Sequence, residues 1–320
     1  MTPSWLDSQM ARLRSAYDAG RLPHALLIHE APGAGGEWLA GWVARLVLCS
    51  QPRGNPCGHC LSCQRATQRQ HPDLTLVHPL ESSAQIRIEQ VRELGAELAL
   101  TAHQGGYKVG ILSPADSMNR FSANALLKTL EEPPQGTLLI LVATQPSRLP
   151  ATILSRCQRV RIRAPERADA IAWLEATRGP GDWAKVLAVL GTAPMAAPAE
   201  PAAVVEIAAE VRRGLEEAAA GGGDPVATAE RWVRSELPLR LTCVENWLTE
   251  RIRGSAAGDG LFTEVRAGAH PRGRRQSLDL RQLFGLLDAV RELKSSLDAP
   301  INRGLALESL LRSIEARSST

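Results

Sequence analysis

The sequence predicts an α/β core with a parallel sheet, followed by an all-α C-terminal domain. Residues 22 to about 163 alternate short apolar strands with amphipathic helices, a pattern typical of a parallel sheet covered on both faces. From residue 202 onward, apolar residues recur at the spacing of helices alone. A cluster of four cysteines follows the first helix of the core and predicts a metal-binding insertion.

The elements of the core can be placed from their apolar patterns. Strands are expected near residues 24–29, 74–78, 108–112, 138–143 and 159–163. Helices are expected near residues 37–48, 87–101 and 119–132, with shorter helical stretches at 168–175 and 182–190. Residues 192–201 are rich in Ala and Pro, which predicts a linker.

Two C-terminal helices carry sustained apolar stripes. The clearer stripe consists of Leu280, Leu283, Phe284, Leu287, Val290, Leu293 and Leu297. The last helix carries Leu307, Leu310, Leu311 and Ile314. Such stripes indicate a buried core, and contact with another subunit is the alternative.

The run Ser122–Cys157 is the most informative part of the chain. Its helix ends at Pro133, because proline has no N–H group to continue the hydrogen-bond ladder. A buried strand at Leu138–Val142 then leads to a polar Thr144, and Arg156 lies downstream. This order is the layout of the second half of an ATPase core.

The first half of that core has a glycine loop between its first strand and its first helix. In a phosphate-binding loop at this position, backbone N–H groups surround the phosphates, a lysine reaches them and a hydroxyl binds magnesium. Gly33 and Gly35 fit such a loop, but Gly36 stands where the lysine belongs and Glu37 where the hydroxyl belongs. A plain strand–turn–helix with turn glycines is the alternative.

A second nucleotide element is also altered. The strand at 108–112 should end in acidic residues that hold magnesium and polarise water. It ends instead in Ser113 and Pro114, and Asp116 lies too far along the chain to replace them. Because both elements are defective together and in the expected order, the sequence favours an inactivated ATPase fold.

The four cysteines Cys49, Cys57, Cys60 and Cys63 follow the spacing C-x7-C-x2-C-x2-C. Overlapping C-x2-C units bring thiolates around one point, which suits a structural zinc ion with a closed tetrahedral shell. Gly58 permits the tight turn that this requires. Disulfides or incidental thiols are the alternatives, and both fit less well in a chain without a signal peptide.

Composition narrows the class of protein further. The 320-residue chain is 44% hydrophobic with a formal net charge of +3, which predicts a soluble, cytoplasmic protein of two or three domains. No apolar run approaches the length of a membrane span, so we expect no membrane contact.

The small net charge disfavours nucleic-acid binding over the whole surface of the protein. Local candidates are two basic sets: Arg159, Arg161 and Arg163 on one strand face, and Arg266, His270, Arg272, Arg274 and Arg275 in a loop. A solvated sheet edge and a surface loop, respectively, are the alternatives.

Taken together, these residues resemble the clamp-loader branch of the AAA+ ATPases, and more closely the delta-prime family of bacterial DNA polymerase III. The resemblance is carried by Asn124–Pro134, the triplet Ser155–Cys157, the four cysteines and Ile301–Arg303. It covers nearly the whole chain. Related subunits that hydrolyse ATP share the cysteines and the triplet but keep the loop lysine, so Gly36 and Glu37 favour the non-hydrolysing member.

The resemblance implies three domains. Residues 1–164 would form an AAA+-like core with the zinc module at about 49–63, residues 165–201 a small helical lid and linker, and residues 202–320 a helical collar for oligomerisation. The implied partners are the gamma/tau ATPase subunits and the delta subunit. Through the assembled complex, the chain would meet primed DNA and the sliding clamp.

The resemblance also implies a role for Arg156, with Ser155 and Cys157 as its motif neighbours. Arg156 would act in trans as an arginine finger in a neighbour's ATP site, while this chain serves as a stator without ATPase activity of its own. A local salt bridge is the alternative for Arg156. Two other functions stay open: an active ATPase of the same fold, and a zinc-dependent nucleic-acid-binding protein.

Overall fold

A computed structural model describes residues 1–51, 54–80, 83, 85–103, 106–256, 279–297 and 302–315. The chain divides into two compact units, residues 1–180 with 192–197, and residues 181–191 with 198–320. The predicted three-part division at residues 165 and 202 stays a prediction. The basic loop at 266–275 and Ile301 lie outside the described residues.

The first unit is built on a five-stranded parallel sheet. Its strands are β1 (Ala25–Glu30), β2 (Leu74–Val77), β3 (Lys108–Leu112), β4 (Thr137–Ala143) and β5 (Gln158–Ile162). They lie in the order β2-β3-β4-β1-β5, so β1 is paired on both sides. Leu27 of β1 faces Leu141 of β4 and Arg159 of β5. The prediction of a parallel α/β core is confirmed, and each strand begins and ends within one residue of its predicted bounds.

Seven helices surround this sheet among the described residues of the unit. They are α1 (Asp7–Asp18), α2 (Gly36–Leu48), α3 (Leu61–Thr67), α4 (Ile88–Ala99), α5 (Arg120–Glu131), α6 (Ala151–Leu154) and α7 (Arg167–Arg178). Leu26 and Ile28 of β1 belong to the apolar layer that includes residues of α1 and α2. Ala25 and Leu27 belong to the layer that includes residues of α4 and α5. Alternate residues of a strand point to opposite faces, so β1 anchors both layers.

The second unit is helical throughout its described residues. Its helices are α8 (Trp183–Leu190), α9 (Pro201–Ala219), α10 (Pro225–Arg234), α11 (Leu237–Ala256), α12 (Leu280–Ser295) and α13 (Arg303–Glu315). Buried Trp232 and Trp247 lie in their common core. The helical C-terminal region is therefore as predicted.

The apolar stripe of α12 is buried only in part. Leu283, Leu287 and Val290 are buried, whereas Leu280 is 41% exposed and Phe284 is 50% exposed. These two residues lie at the edge of the stripe when it is plotted around the helix axis, so the core covers them less. The stripe is therefore mainly buried core, as predicted, and for Leu280 and Phe284 the alternative of contact with another subunit stays a prediction.

Candidate functional site

The glycine loop (residues 31–36) connects β1 to α2 and wraps around a carboxylate of its own chain. Gly33 and Gly35 have φ angles of +66° and +105°, which turn the backbone N–H groups inward. The N–H of Gly35 donates to Glu30 Oε2 at 2.9 Å, and the N–H of Gly36 donates to the same oxygen at 2.7 Å. Burial raises the pKa of Glu30, and these two hydrogen bonds offset part of that shift.

Gly36 has no room for a side chain. A Cβ atom at this position would lie 2.7 Å from Cδ of Glu30 and 2.7 Å from Cγ1 of Val142. Gly36, which stands where a lysine was expected, therefore leaves the space that the Glu30 carboxylate occupies. Sequence reasoning identified Gly36 and missed Glu30, although an acidic residue at the very end of a strand before a glycine loop was a readable signal.

Residues 192–197, which the sequence predicted to belong to a linker, pack on the glycine loop. The N–H of Met195 donates to the carbonyl of Gly33 at 3.0 Å. A Cβ atom on Gly33 would lie 2.8 Å from the Cβ of Ala193, so a side chain would not fit. From the N-terminal segment, Nε1 of Trp5 donates to the carbonyl of Ala34 at 2.8 Å. The loop is thus fixed by two separate parts of the chain.

Glu37 is held by groups from three other segments. Its Oε1 lies 2.6 Å from Nη2 of Arg69 and 3.8 Å from Nε2 of His78. The hydroxyl of Ser113 donates to Glu37 Oε2 at 3.4 Å. A cavity of about 470 Å³ lies beside these groups and the glycine loop. Two carboxylates, Glu30 and Glu37, line this cavity, and Arg69 is paired with one of them.

Asp116 is engaged elsewhere in the core. It is 6% exposed, and its Oδ2 accepts from the hydroxyl of Thr144 at 3.1 Å and from the N–H of Gln145 at 2.7 Å. These bonds join the segment after β3 to the end of β4. The carboxylate therefore fastens two strand ends together.

Arg156 lies at the surface between α6 and β5, and its side chain is 37% exposed. Its Nη2 lies 2.9 Å from Oε1 of Glu131, at the end of α5. Its Nη1 donates to the carbonyl of Thr152 at 3.1 Å and to Oγ of Ser155 at 3.3 Å. Cys157 is buried, and burial raises its pKa to about 11, which leaves it a protonated core residue at neutral pH.

The alternating arginines lie at an exposed edge of the described sheet, which was the alternative to their binding a nucleic acid. In the described sheet β5 is an outer strand, and Arg159 and Arg161 are both exposed on it. Arg163 follows the strand and is exposed as well. Charged side chains on an edge strand discourage pairing with a second sheet. This placement accounts for the three arginines without a nucleic acid.

The four predicted cysteine ligands come together at one point. Their Sγ atoms all lie within 4.8 Å of one another. The Sγ atoms of Cys49 and Cys60 are 4.0 Å apart, and those of Cys57 and Cys63 are 3.9 Å apart. Metal–sulfur bonds of about 2.3 Å in a tetrahedron require sulfur atoms about 3.8 Å apart, so the donor set fits. The cluster could hold a metal ion.

Backbone groups around the cluster are arranged to stabilise thiolates. The N–H groups of Cys57, Cys60 and Cys63 each donate to a preceding cysteine Sγ, at 3.3–3.4 Å. Gly58 has a φ angle of +76°, as the predicted tight turn requires. The ring of His59 is exposed, and its Nδ1 lies 2.8 Å from the carbonyl of Cys57. His59 lies outside the four-sulfur set.

Comparison with known proteins identifies the family. A family model described as "DNA polymerase III, delta subunit" matches residues 5–166, about half of the chain. DNA polymerase III subunit delta' of Escherichia coli is 40% identical over 171 residues, which are 53% of this chain and 51% of that protein. Subunit tau of the same organism is 32% identical over 156 residues, or 48% of this chain and 24% of tau.

The match to the delta' relative thus spans about half of that relative's length. Among solved structures, a DNA polymerase III gamma subunit-related protein from Thermotoga maritima has the same fold, with a TM-score of 0.50 and 17% identity. That similarity covers 97% of this chain and 99% of the other. Within the described residues, no helix combines the length and apolarity needed to cross a bilayer. On these findings the chain belongs to the family described as "DNA polymerase III, delta subunit", and its relative in Escherichia coli is named subunit delta'.

Proposed function

We propose that this chain is a non-hydrolysing stator subunit of a cytoplasmic clamp loader. It would assemble with gamma/tau ATPase subunits and a delta subunit, and so help to load a sliding clamp on primed DNA. The names of its relatives, delta' and tau, support this membership. The chain would contribute no ATP hydrolysis of its own.

The observation that carries this proposal is that the glycine loop has no lysine and lies beside two carboxylates. A degenerate P-loop lacks groups that nucleotide binding requires, and here Gly36 offers no cation for the phosphates. Glu30 and Glu37 put two carboxylates where a polyphosphate would lie. Ser113 stands where a magnesium carboxylate is expected, and Asp116 is bonded to Thr144 and Gln145. Each of these features opposes the alternative of an active ATPase.

Arg156 is the residue through which the chain would take part in hydrolysis. An arginine finger has to be exposed, mobile enough to reach a neighbour and free of a strong internal partner. The side chain of Arg156 is 37% exposed, and its ion-pair partner Glu131 has a side chain that is 50% exposed. Exposed pairs of this kind are weak, at about 0–1 kcal/mol, so a phosphate could displace Glu131.

Zinc is the metal that we propose for the four cysteines. Four thiolates at tetrahedral spacing select zinc over oxygen-loving cations such as magnesium. When bound, zinc would supply a structural cross-link with no open position for water. Cys49 directly follows α2, and Cys63 lies in α3, so the four cysteines would tie the end of one helix to the next.

The direct test of the stator proposal uses the purified full chain and a fluorescent ATP analogue with magnesium. We expect no saturable binding at micromolar concentrations and no turnover. Saturable micromolar binding accompanied by hydrolysis would contradict the proposal. Mixing the chain with gamma/tau and delta subunits, and measuring the assembled mass, tests the proposed partnership separately.

A further inference from the structure

The hydrogen bonds of the glycine loop point to a more specific reason why nucleotides would be excluded. The N–H groups of Gly35 and Gly36 converge on a single oxygen, Glu30 Oε2, at 2.9 and 2.7 Å. In phosphate-binding loops, N–H groups at this position face an oxyanion. The carboxylate of Glu30 offers them the same kind of acceptor from within the chain.

We propose that Glu30 is a built-in inhibitor of this loop, whose carboxylate occupies the two N–H groups that would otherwise face a phosphate. This proposal deepens the proposed function, and it rests on the assignment of residues 31–36 as a degenerate P-loop. It states that occupancy by Glu30, in addition to the missing lysine, keeps phosphate groups out.

Glu30 is well fixed for this role. It is the last residue of β1, where it pairs in register with Ile162 of β5. The next N–H, that of Ala31, donates to the carbonyl of Ile162 at 3.1 Å. The carboxylate is thus tethered next to the loop, and a free anion has to compete with a group whose local concentration is on the order of millimolar or higher.

The surroundings of Glu30 reinforce the exclusion. Glu37 lines the same cavity, and the negative charge of Glu37 adds to the burial that raises the pKa of Glu30. Arg69, which also lines this cavity, is paired with Glu37 at 2.6 Å. A phosphate that approached the loop would therefore meet two carboxylates and an arginine that already has a partner.

Gly36 and Glu30 depend on each other sterically. A Cβ atom at position 36 would lie 2.7 Å from Cδ and 2.8 Å from Oε1 of Glu30. Any side chain at this position, including the lysine of a working loop, would have to push the carboxylate away. The absence of the lysine and the presence of the internal carboxylate are thus two aspects of one arrangement.

The test compares Glu30→Ala with Glu30→Gln in the full chain, with inorganic pyrophosphate as the probe. Both substitutions remove the same charge, but the glutamine amide oxygen can still accept from Gly35 and Gly36. We expect no measurable binding by the unsubstituted chain. Glu30→Ala should bind pyrophosphate about tenfold or more tightly than Glu30→Gln, because it frees two donors for charge-assisted hydrogen bonds. Thermal unfolding of all three chains checks that they are folded.

Equal pyrophosphate affinities of the two variants would overturn the proposal, because charge alone would then explain the exclusion. Absence of binding by a folded Glu30→Ala chain would overturn it as well. Neither result would touch the stator proposal, which fails only if the unsubstituted chain itself binds and hydrolyses ATP.

A measurement on the unsubstituted chain does not depend on the variants' folding. The N–H groups at the start of α2 have no acceptor within the helix. Slow amide hydrogen exchange at Gly35 and Gly36, followed by nuclear magnetic resonance with ¹⁵N-glycine labelling, is therefore expected from the bonds to Glu30. Fast exchange at both glycines would overturn the proposal.

Discussion

The guanidinium of Arg156 lies 2.9 Å from the carboxylate of Glu131, at the end of the helix that Pro133 terminates. Two more bonds, to the carbonyl of Thr152 and the hydroxyl of Ser155, orient the same guanidinium. Since the side chains of Arg156 and Glu131 are 37% and 50% exposed, the ion pair orients the arginine more than it stabilises the fold. Arg156 thus has a defined position in the free chain, and the interactions that hold it there are exposed to solvent.

Arg156→Ala should leave the chain folded and able to assemble, but should reduce ATP hydrolysis by the complete clamp loader. An arginine finger contributes roughly a thousandfold where one alone governs a site. A loader with several ATP sites should lose only the share of turnover that depends on this interface. DNA-stimulated hydrolysis and clamp loading by the reconstituted complex measure the effect.

Two matched substitutions interpret that result. Arg156→Lys keeps the charge but loses the two-pronged hydrogen bonding, and should rescue hydrolysis poorly. Glu131→Gln removes the competing carboxylate and should not lower the rate. Unchanged hydrolysis and loading by an Arg156→Ala complex of normal mass would mean that Arg156 does not act in trans.

Asp73→Asn should strongly destabilise the first unit. The carboxylate of Asp73 is buried 3.6 Å from Nζ of Lys108, which is itself only 6% exposed. Removing one partner of a buried pair costs about 3–5 kcal/mol, because the other charge is left buried without compensation. Urea unfolding measures the loss. Asp182→Asn, which breaks an exposed pair with Lys185, is the control and should change stability little.

The same pair predicts a pH dependence of stability. Burial alone would raise the pKa of Asp73, but hydrogen bonds from His103 and the charge of Lys108 hold it below its ordinary value. A carboxyl whose pKa is lower in the folded chain contributes stability above its unfolded pKa, and that contribution is lost as the pH falls. The free energy of unfolding should therefore drop in acid more steeply for the unsubstituted chain than for Asp73→Asn. Parallel acid profiles of the two chains would contradict this.

The chain should carry about one equivalent of zinc, since one tetrahedral site takes four thiolates. Cys60→Ser should lose the metal, because an alcohol is a poor zinc ligand at neutral pH. Cys243→Ser is the matched control, since Cys243 is a buried cysteine outside the cluster and its substitution should leave the zinc content unchanged. Elemental analysis of protein purified without chelators measures both. Full metal content in Cys60→Ser would mean that Cys60 is not a zinc ligand.

Gly36→Ala should destabilise the chain by about 1–3 kcal/mol, the usual cost of overpacking a filled site. Part of that loss should disappear in the double variant with Glu30→Ala, because the methyl group then no longer meets the carboxylate. Urea unfolding of the four chains in this double-mutant cycle gives the coupling. Strictly additive losses would mean that Gly36 and Glu30 are independent.

The strands and most helices could be predicted from the sequence because a buried element has a recognisable pattern of apolar residues in its own segment. A parallel strand covered on both faces, such as Leu138–Val142, has to be apolar throughout, and that run can be read directly. The cysteine cluster could be predicted for a similar reason, since short spacing forces Cys57 and Cys60 close together.

The contacts that define the glycine loop could not be predicted in the same way. The bonds from Gly35 and Gly36 to Glu30 depend on the exact path of the loop, which no periodic pattern encodes. Likewise, the composition of residues 192–197 indicates low helical propensity but not that Met195 pairs with Gly33. Arg156 was recognised from its motif, and its partner Glu131 was visible only in three dimensions.

The interleaved path of the chain limits how this protein can be dissected. The backbone passes from one unit to the other after residue 180, returns after 191 and leaves again after 197. No single cut can therefore separate the two units. A chain truncated at Pro180 would lose Ala193 and Met195, and with them the packing that holds Gly33. Such a fragment would be a poor substitute for the first unit in any nucleotide-binding experiment, which has to use the full chain.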